Sequence, residues 1–278
     1  MSAVIDTRFD ARSPVGRLLP VPAGPFAAHR EPEPEPVLAS AAHLQVFVAR
    51  DPADVEQALR LRHRVFMQEL GARPGVGGDL DRDIFDPHCL HLVVRDTERD
   101  EVVGTYRVLM PEQARELGCL YADREFWLTR LNPIRDGLVE IGRSCVHPDY
   151  RSGAAIMLLW HGLGALLART GHRMLFGCAS VSMADGGALA ANLYRQLEAT
   201  HLAEDCLRVW PRDRLPVEQF APGGPVSAPP LMKGYLRAGA RLLGEPHRDA
   251  EFGCADFALL LQLDALSARY RRRFAGEG

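Results

Sequence analysis

Residues 139–164 read VEIGRSCVHPDYRSGAAIMLLWHGLG. An apolar run carries Glu140 and Arg143, breaks at a polar loop with Pro148 and Gly153, and enters a long apolar segment. The first part reads as a strand and the last as a buried helix that stops at Gly171. The turn between them, Val146 to Ala155, would leave backbone N–H groups free at the positive end of a helix dipole, a place that suits a phosphate or pyrophosphate. Gly153 would let a ligand approach the backbone closely. Strand–glycine–helix turns are frequent, so this turn taken alone is more often a plain helix cap.

Working outward, Leu44 to Arg50 predicts a strand and Asp51 to Gly71 a helix. Asp51 stands at the N-cap, Pro52 in the first turn and Gly71 at the stop. Val55, Leu59, Arg62/His63 and Phe66 mark one helical face. A polar, glycine-rich loop follows, then two strands, Cys89 to Asp96 and Glu101 to Pro111, that predict an antiparallel hairpin. Pro111 to Leu117 is helical. Past the opening stretch, Arg173 to Val181 and Ala255 to Leu266 read as buried strands, with a helix over Asp185 to Thr200.

Residues 1–42 are dense in Pro and Ala and predict a disordered tail, because such a segment buries too little surface to offset ordering. Residues 43–278 predict a single domain with a proline-bearing surface excursion at about 200–230. The order of elements implies an α/β (α+β) fold, a mixed sheet with helices on both faces.

The chain has 278 residues, 47% hydrophobic and 25% charged, with a formal net charge of −3. That balance gives no support to general nucleic-acid binding. Its basic charge is nearly all arginine, with Lys233 the single lysine. Six scattered cysteines with no C-x-x-C pair argue against a zinc ribbon or disulfide framework and for reduced thiols in the cytoplasm. His88, Cys89 and His91 do not complete a metal site, so no metal is expected. No apolar run is long enough to predict a spanning helix.

"V-x-P-x-Y-R-x-G-x-A" over 146–155 resembles motif A of the GNAT superfamily of acyltransferases, and the element order agrees with that fold. The resemblance implies a mostly antiparallel sheet splayed at the strand near Glu140. It also implies that Val146, Arg151, Ser152, Gly153, Ala154 and Ala155 hold the pyrophosphate of coenzyme A or the phosphopantetheine of acyl carrier protein. Arg151 stands one residue closer to Gly153 than in the usual pattern, which speaks against ordinary acetyl-CoA. "LRHRVF" with Arg62, "DIFD" with Asp83 and Asp86, "GTYRVL" with Arg107 and "VEIGR" with Glu140 and Arg143 recur in the order of the acyl-homoserine-lactone synthase branch. The chain is still more similar to the ornithine N-acyltransferases of ornithine-lipid synthesis. That likeness rests on "EIGRSCVHPDYRSG", "LFGCAS" at 175–180, "PLMKGYLRAGA" at 230–240 and Asp256-Phe257, and spans about residues 44–266.

This resemblance implies an N-acyltransferase that moves a long, 3-hydroxylated acyl chain from acyl carrier protein to an amino acid's α-amine, with L-ornithine the expected acceptor. The acyl-phosphopantetheine would be a co-substrate, with no permanently bound cofactor. Alternatives are an autoinducer-like synthase, an enzyme acylating another amino acid, and a non-catalytic GNAT-like binding module.

A protonated amine attacking a thioester needs a base, and Glu140 is the expected one. Its plain alternative is a buried ion pair with Arg143. Residues 140 and 143 would point to opposite faces of a regular strand, so a bulge is expected, with Gly142 its natural seat. Asp83 and Asp86 are expected to hold the acceptor's ammonium groups or brace its loop, with a solvated acidic loop as the plain reading. Arg62, Arg107 and Arg143 would bind an acceptor carboxylate or tie those aspartates down. His91 and Asp96 have an H-x4-D spacing that strand alternation discounts. Tyr194 reads first as a packed tyrosine, and only second as the acid for the leaving thiolate. The basic end, Ala268 to Phe274, would steer acidic carrier protein, touch anionic lipid at the inner face of the membrane, or equally be a solvated tail.

Overall fold

The computed structural model describes residues 36–72 and 78–266. The basic end at 268–274 and most of the expected tail lie outside the described residues. Regular structure is already present before residue 43. A short strand, β1 (Ala39–Ala41), pairs antiparallel with β2 (Leu44–Ala49), because a two-residue turn at Ala42 and His43 lets the chain fold back on itself. Helix α1 (Pro52–His63) starts at Asp51, whose carboxylate accepts the Ala53 N–H at 2.9 Å, and runs on as a π-helical turn to Glu69.

Strands β3 (Leu90–Asp96) and β4 (Glu101–Leu109) form the expected hairpin, and α2 (Pro111–Leu117) follows. A two-residue strand β5 (Phe126–Trp127), strand β6 (Leu138–Val146), helix α3 (Ala154–Thr170) and strand β7 (Met174–Ser182) come next. After α4 (Ala188–His201) the chain places β8 (Trp210–Pro211) against β5, then builds α5 (Pro230–Ala238), β9 (Arg241–Leu242), β10 (His247–Asp249) and β11 (Cys254–Gln262). The stretch near 200–230 does more than cross the surface: Ala203, Val209, Leu215 and Val217 are buried.

The main sheet runs β1-β2-β3-β4-β6-β7-β11-β10, with β9 beside β11. Every pairing is antiparallel except β6 with β7. Alternation along the strands explains the layers. Leu92 and Val94 face a core shared with α3, while Val93 faces a second core beneath α1. On the far half, Leu259 and Leu261 face the α3, α4 and α5 side, and Ala258 and Leu260 face a third core with α2 and the loop after it.

The parallel pair is the feature that positions the site. β6 and β7 are in register only at Leu138–Met174, Val139–Leu175 and Glu140–Phe176, and then part. A Cβ on Gly177 would sit 2.4 Å from the Ile141 carbonyl oxygen, so glycine there allows the strands to meet where they separate. The expected splay is present.

The expected bulge is present too, but one residue later. Arg107 pairs with Gly142 and Thr105 with Cys145, so Tyr106 alone faces both Arg143 and Ser144. The left-handed residue is Arg143, with φ of 48°, not Gly142. An arginine in that region carries a backbone penalty of about 1–2 kcal/mol. Its guanidinium offsets this through the ion pairs and aromatic faces described below.

Candidate active site

A cavity of about 500 Å³ opens where β6 and β7 part. Strand alternation gives it two ends. Glu125, Glu140, Cys178 and Asp256 line the end on the α2 side of the sheet. Tyr106, Leu175, Met232, Tyr235, Leu259 and Leu261 line the apolar end under α3 and α5. The two ends meet through the gap in the sheet. Tyr106 and Tyr235 join hydroxyls at 2.6 Å, and Tyr235 stacks on Trp160 at 5.0 Å between centroids. A Cβ on Gly142 would meet nothing within 4 Å, so this glycine keeps the polar wall open.

Glu140 is the last residue of β6 in register with β7, and it is buried. Its two oxygens accept the Tyr121 N–H at 2.6 Å and the Ala122 N–H at 2.8 Å. Those donors begin the 3-10 turn Tyr121–Arg124, so the carboxylate sits where a helical start offers free N–H groups. Burial pushes the Glu140 carboxyl up, and the N–H groups of Ala122 and Tyr121 pull it down, leaving it at about 7. A carboxylate poised there is matched to proton transfer near neutrality. The plain ion pair with Arg143 does not form, because the backbone of the 3-10 turn takes both oxygens of Glu140 and aspartates take Arg143.

The arginines and aspartates form one buried lattice. Arg62, with no exposed surface, donates from Nε to Asp81 at 2.7 Å and from Nη1 to Asp86 at 2.6 Å. Arg107 reaches Asp83 at 2.6 Å and Asp86 at 3.3 Å. Burial raises Asp86, but Arg62 and Arg107 outweigh it and hold the carboxyl at about 2. These aspartates are not a solvated acidic loop. Their charges are matched by arginines, which leaves them suited to bracing the loop rather than to holding an acceptor's ammonium group.

Arg143 belongs to the lattice more loosely, 3.3 Å from Asp81 and 3.6 Å from Asp83, with Nε making no directed hydrogen bond. Its guanidinium lies over the rings of Tyr121 at 5.1 Å and Phe252 at 4.7 Å. Both Glu140 and Arg143 therefore approach Tyr121, which an unbulged strand would prevent.

The turn expected to hold the donor stands apart from the cavity. Arg151, Ser152, Gly153, Ala154 and Ala155 do not line it; they lie past the end of the β6 wall, at the start of α3. Gly153 caps α3 with φ of 112°, a conformation that favours glycine. Arg151 pairs with Glu69 at 2.8 Å and donates to the Val146 carbonyl at 3.1 Å.

Tyr194 is buried on α4 and donates to Glu198 at 2.9 Å, away from the cavity. His91 contacts the Asp86 carbonyl at 3.2 Å while Asp96 accepts from Tyr150 at 2.6 Å, so the two are not a pair. Asp81, Tyr121, Ala122, Glu125 and Phe252 escape the sequence reading. Asp81 was one of several acids in a polar loop, and the others act through backbone or from segments without periodicity. Asp256 carried a signal only as part of the Asp256-Phe257 motif.

Residues 61–161 match a family model described as acetyltransferase (GNAT) domain. The chain is 36% identical to the L-ornithine N(alpha)-acyltransferase of Rhodobacter capsulatus, over 84% of this chain and 97% of that protein. It is 35% identical to the L-ornithine N(alpha)-acyltransferase of Brucella abortus, over 87% of this chain and 92% of that protein. Among solved structures, the AHL synthase LasI superposes with a TM-score of 0.50 at 12% identity, covering 85% of this chain and 96% of that one. The fold is GNAT-like.

Proposed function

We propose that this chain, which belongs to the family of L-ornithine N(alpha)-acyltransferases, transfers a 3-hydroxyfatty acyl group from acyl carrier protein to the α-amine of L-ornithine, giving lyso-ornithine lipid. One observation carries the chemistry: Glu140 is held by two backbone N–H groups at the point where β6 and β7 part. A base is thereby fixed beside a cavity with an apolar end for an acyl chain and an acidic end for an amine.

In this reading Glu140 takes a proton from the acceptor's ammonium group. The freed nitrogen attacks the thioester carbonyl, a C–N bond forms, and the C–S bond breaks. Glu140 passes that first proton to water; the second proton, lost by the nitrogen once the C–N bond has formed, goes by way of Glu140 to the departing thiolate, directly or through water. Where β6 has left β7, its edge N–H groups suit the developing oxyanion. Arg143 receives the acceptor's α-carboxylate, while Arg62 and Arg107 with Asp83 and Asp86 brace the loop around it.

The pantetheine arm follows β6 from the cavity to Val146 and the turn Arg151–Ala155, whose helix start suits its phosphate. Acyl carrier protein is the donor's carrier in this reading, with coenzyme A the alternative. Among the described residues the six cysteines are free thiols, and no helix is long and apolar enough to cross a membrane. The scattered cysteines, with no disulfide framework, support a cytoplasmic enzyme that delivers an amphiphilic product to the inner face of the membrane.

The test offers purified protein acyl carrier protein thioesters or acyl-CoA with a panel of amino acids, and identifies products by mass. N-acylornithine is the expected product, formed faster from the carrier protein. Acylation of another amine with none of ornithine would refute the acceptor assignment. No acylation of any amine would favour a binding module. Arg151→Ala is expected to raise the KM for the carrier about 3- to 10-fold with kcat little changed. Its half-exposed pair with Glu69 contributes less than about 1 kcal/mol to stability, so folding should be intact.

A further inference from the structure

The carboxylates around the cavity fall into two groups. Asp81, Asp83 and Asp86 are matched by Arg62, Arg107 and Arg143. Glu125 and Asp256 form no ion pair among the described residues. Glu125 is 7% exposed and its Oε2 has no hydrogen-bond partner, although the residue lines the cavity. Asp256 is 4% exposed and accepts only from neutral donors, the Ser180 hydroxyl at 2.6 Å and the Cys254 thiol at 3.7 Å. A carboxylate oxygen of Asp249, at the rim, lies within 4.8 Å of a ligand atom on Asp256 and on Cys254.

Buried carboxylates without a cation are unfavourable. Burial, followed by the charge of Asp256, drives the Glu125 carboxyl well up, and burial raises Asp256. The whole group lies on the Glu140 side of the sheet, and Glu140 also acts on Glu125. Arg143 acts on Asp256 through its charge but pairs with Asp81 and Asp83 instead.

We infer that Glu125 and Asp256, with Asp249 at the rim, form the subsite for the acceptor's side-chain ammonium and so select a diamino acid over a neutral one. This rests on the reading of the chain as an amino-acid N-acyltransferase. The α-amine sits at Glu140 and the α-carboxylate at Arg143. The side chain then extends across the α2-side face of β7 and β11 to the two unmatched carboxylates. The hydroxyl of Ser180 holds one oxygen of Asp256 in place, and the orphan Oε2 of Glu125 accepts from the ammonium.

The experiment compares kcat/KM for ornithine and for norvaline, which lacks the side-chain amine, in the wild type, Asp256→Asn and Glu125→Gln/Asp256→Asn. The wild type should prefer ornithine by about 100-fold or more. That ratio should fall about 10- to 100-fold in the variants, chiefly through KM for ornithine. Equal use of the two acceptors by the wild type would overturn the subsite. So would an unchanged ratio in folded variants. If the double variant does not fold, Asp256→Asn and Asp249→Asn alone decide.

Calorimetric titration of each amino acid into the enzyme without donor separates the two readings. If no amino acid is acylated, the transfer reaction is wrong, yet ornithine binding that norvaline lacks and Asp256→Asn abolishes would still support the subsite. Loss of ornithine preference in the wild type on chelation would assign these carboxylates to a metal held by Asp249, Cys254 and Asp256, and would overturn the inference.

Discussion

Glu140→Gln should lower kcat about 10²- to 10⁴-fold, the range for a positioned general base. Glutamine keeps the size of the side chain and one acceptor for the N–H groups of Tyr121 and Ala122, but cannot take a proton. In the wild type, kcat/KM should rise with pH through about 7, where burial has brought this carboxyl, and the variant should lose that limb. The stability readout has a definite sign. The folded carboxyl titrates above its ordinary 4.5, so the stability owed to its neutral form is complete below that value and is lost as pH rises through about 7. Melting temperatures taken from pH 5 to 8 should therefore fall less for Glu140→Gln than for the wild type. Near-normal turnover in the variant would remove Glu140 from the base role.

Arg62→Met should destabilise the protein by about 3–5 kcal/mol, because it leaves the buried Asp81 and Asp86 without their main cation. For a domain of this size that lowers Tm by roughly 10 °C or more. Asp86 gives an independent check. Its carboxyl is held at about 2, so the stability it contributes is present above the ordinary carboxylate value and is lost only as pH falls toward 2. Removing Arg62 should move that acid limb upward. Arg173→Ala, which breaks an exposed pair with Asp264, should leave thermal unfolding unchanged. An Arg62→Met protein as stable as wild type would mean that the lattice does not brace the fold.

The helices and strands were legible because each has a local physical cause. Asp51 caps α1, Gly171 ends α3, and alternation fixes which face each strand buries. The splay followed from the resemblance rather than from any local pattern. The bulge was required by the parity of residues 140 and 143, but its seat was not. Glycine preference pointed to Gly142, whereas the aspartates and aromatic rings around Arg143 hold the left-handed turn there instead. The partners of Asp83 and Asp86 were hidden for a similar reason. A sequence shows acids and arginines in order, but not which of them meet.

The sequence by itself determined the element order and the glycine-bearing turn that opens α3, since these rest on spacing along one chain. The tertiary structure alone decided the partners of each charge. Coulomb and hydrogen-bond energies depend on distance and burial, and residues from 66 to 261 line this cavity only because the chain folds. That is why Glu140 is set by the backbone of Tyr121 and Ala122 rather than by Arg143. It is also why the unmatched acids are Glu125 and Asp256, and not the aspartates of the loop.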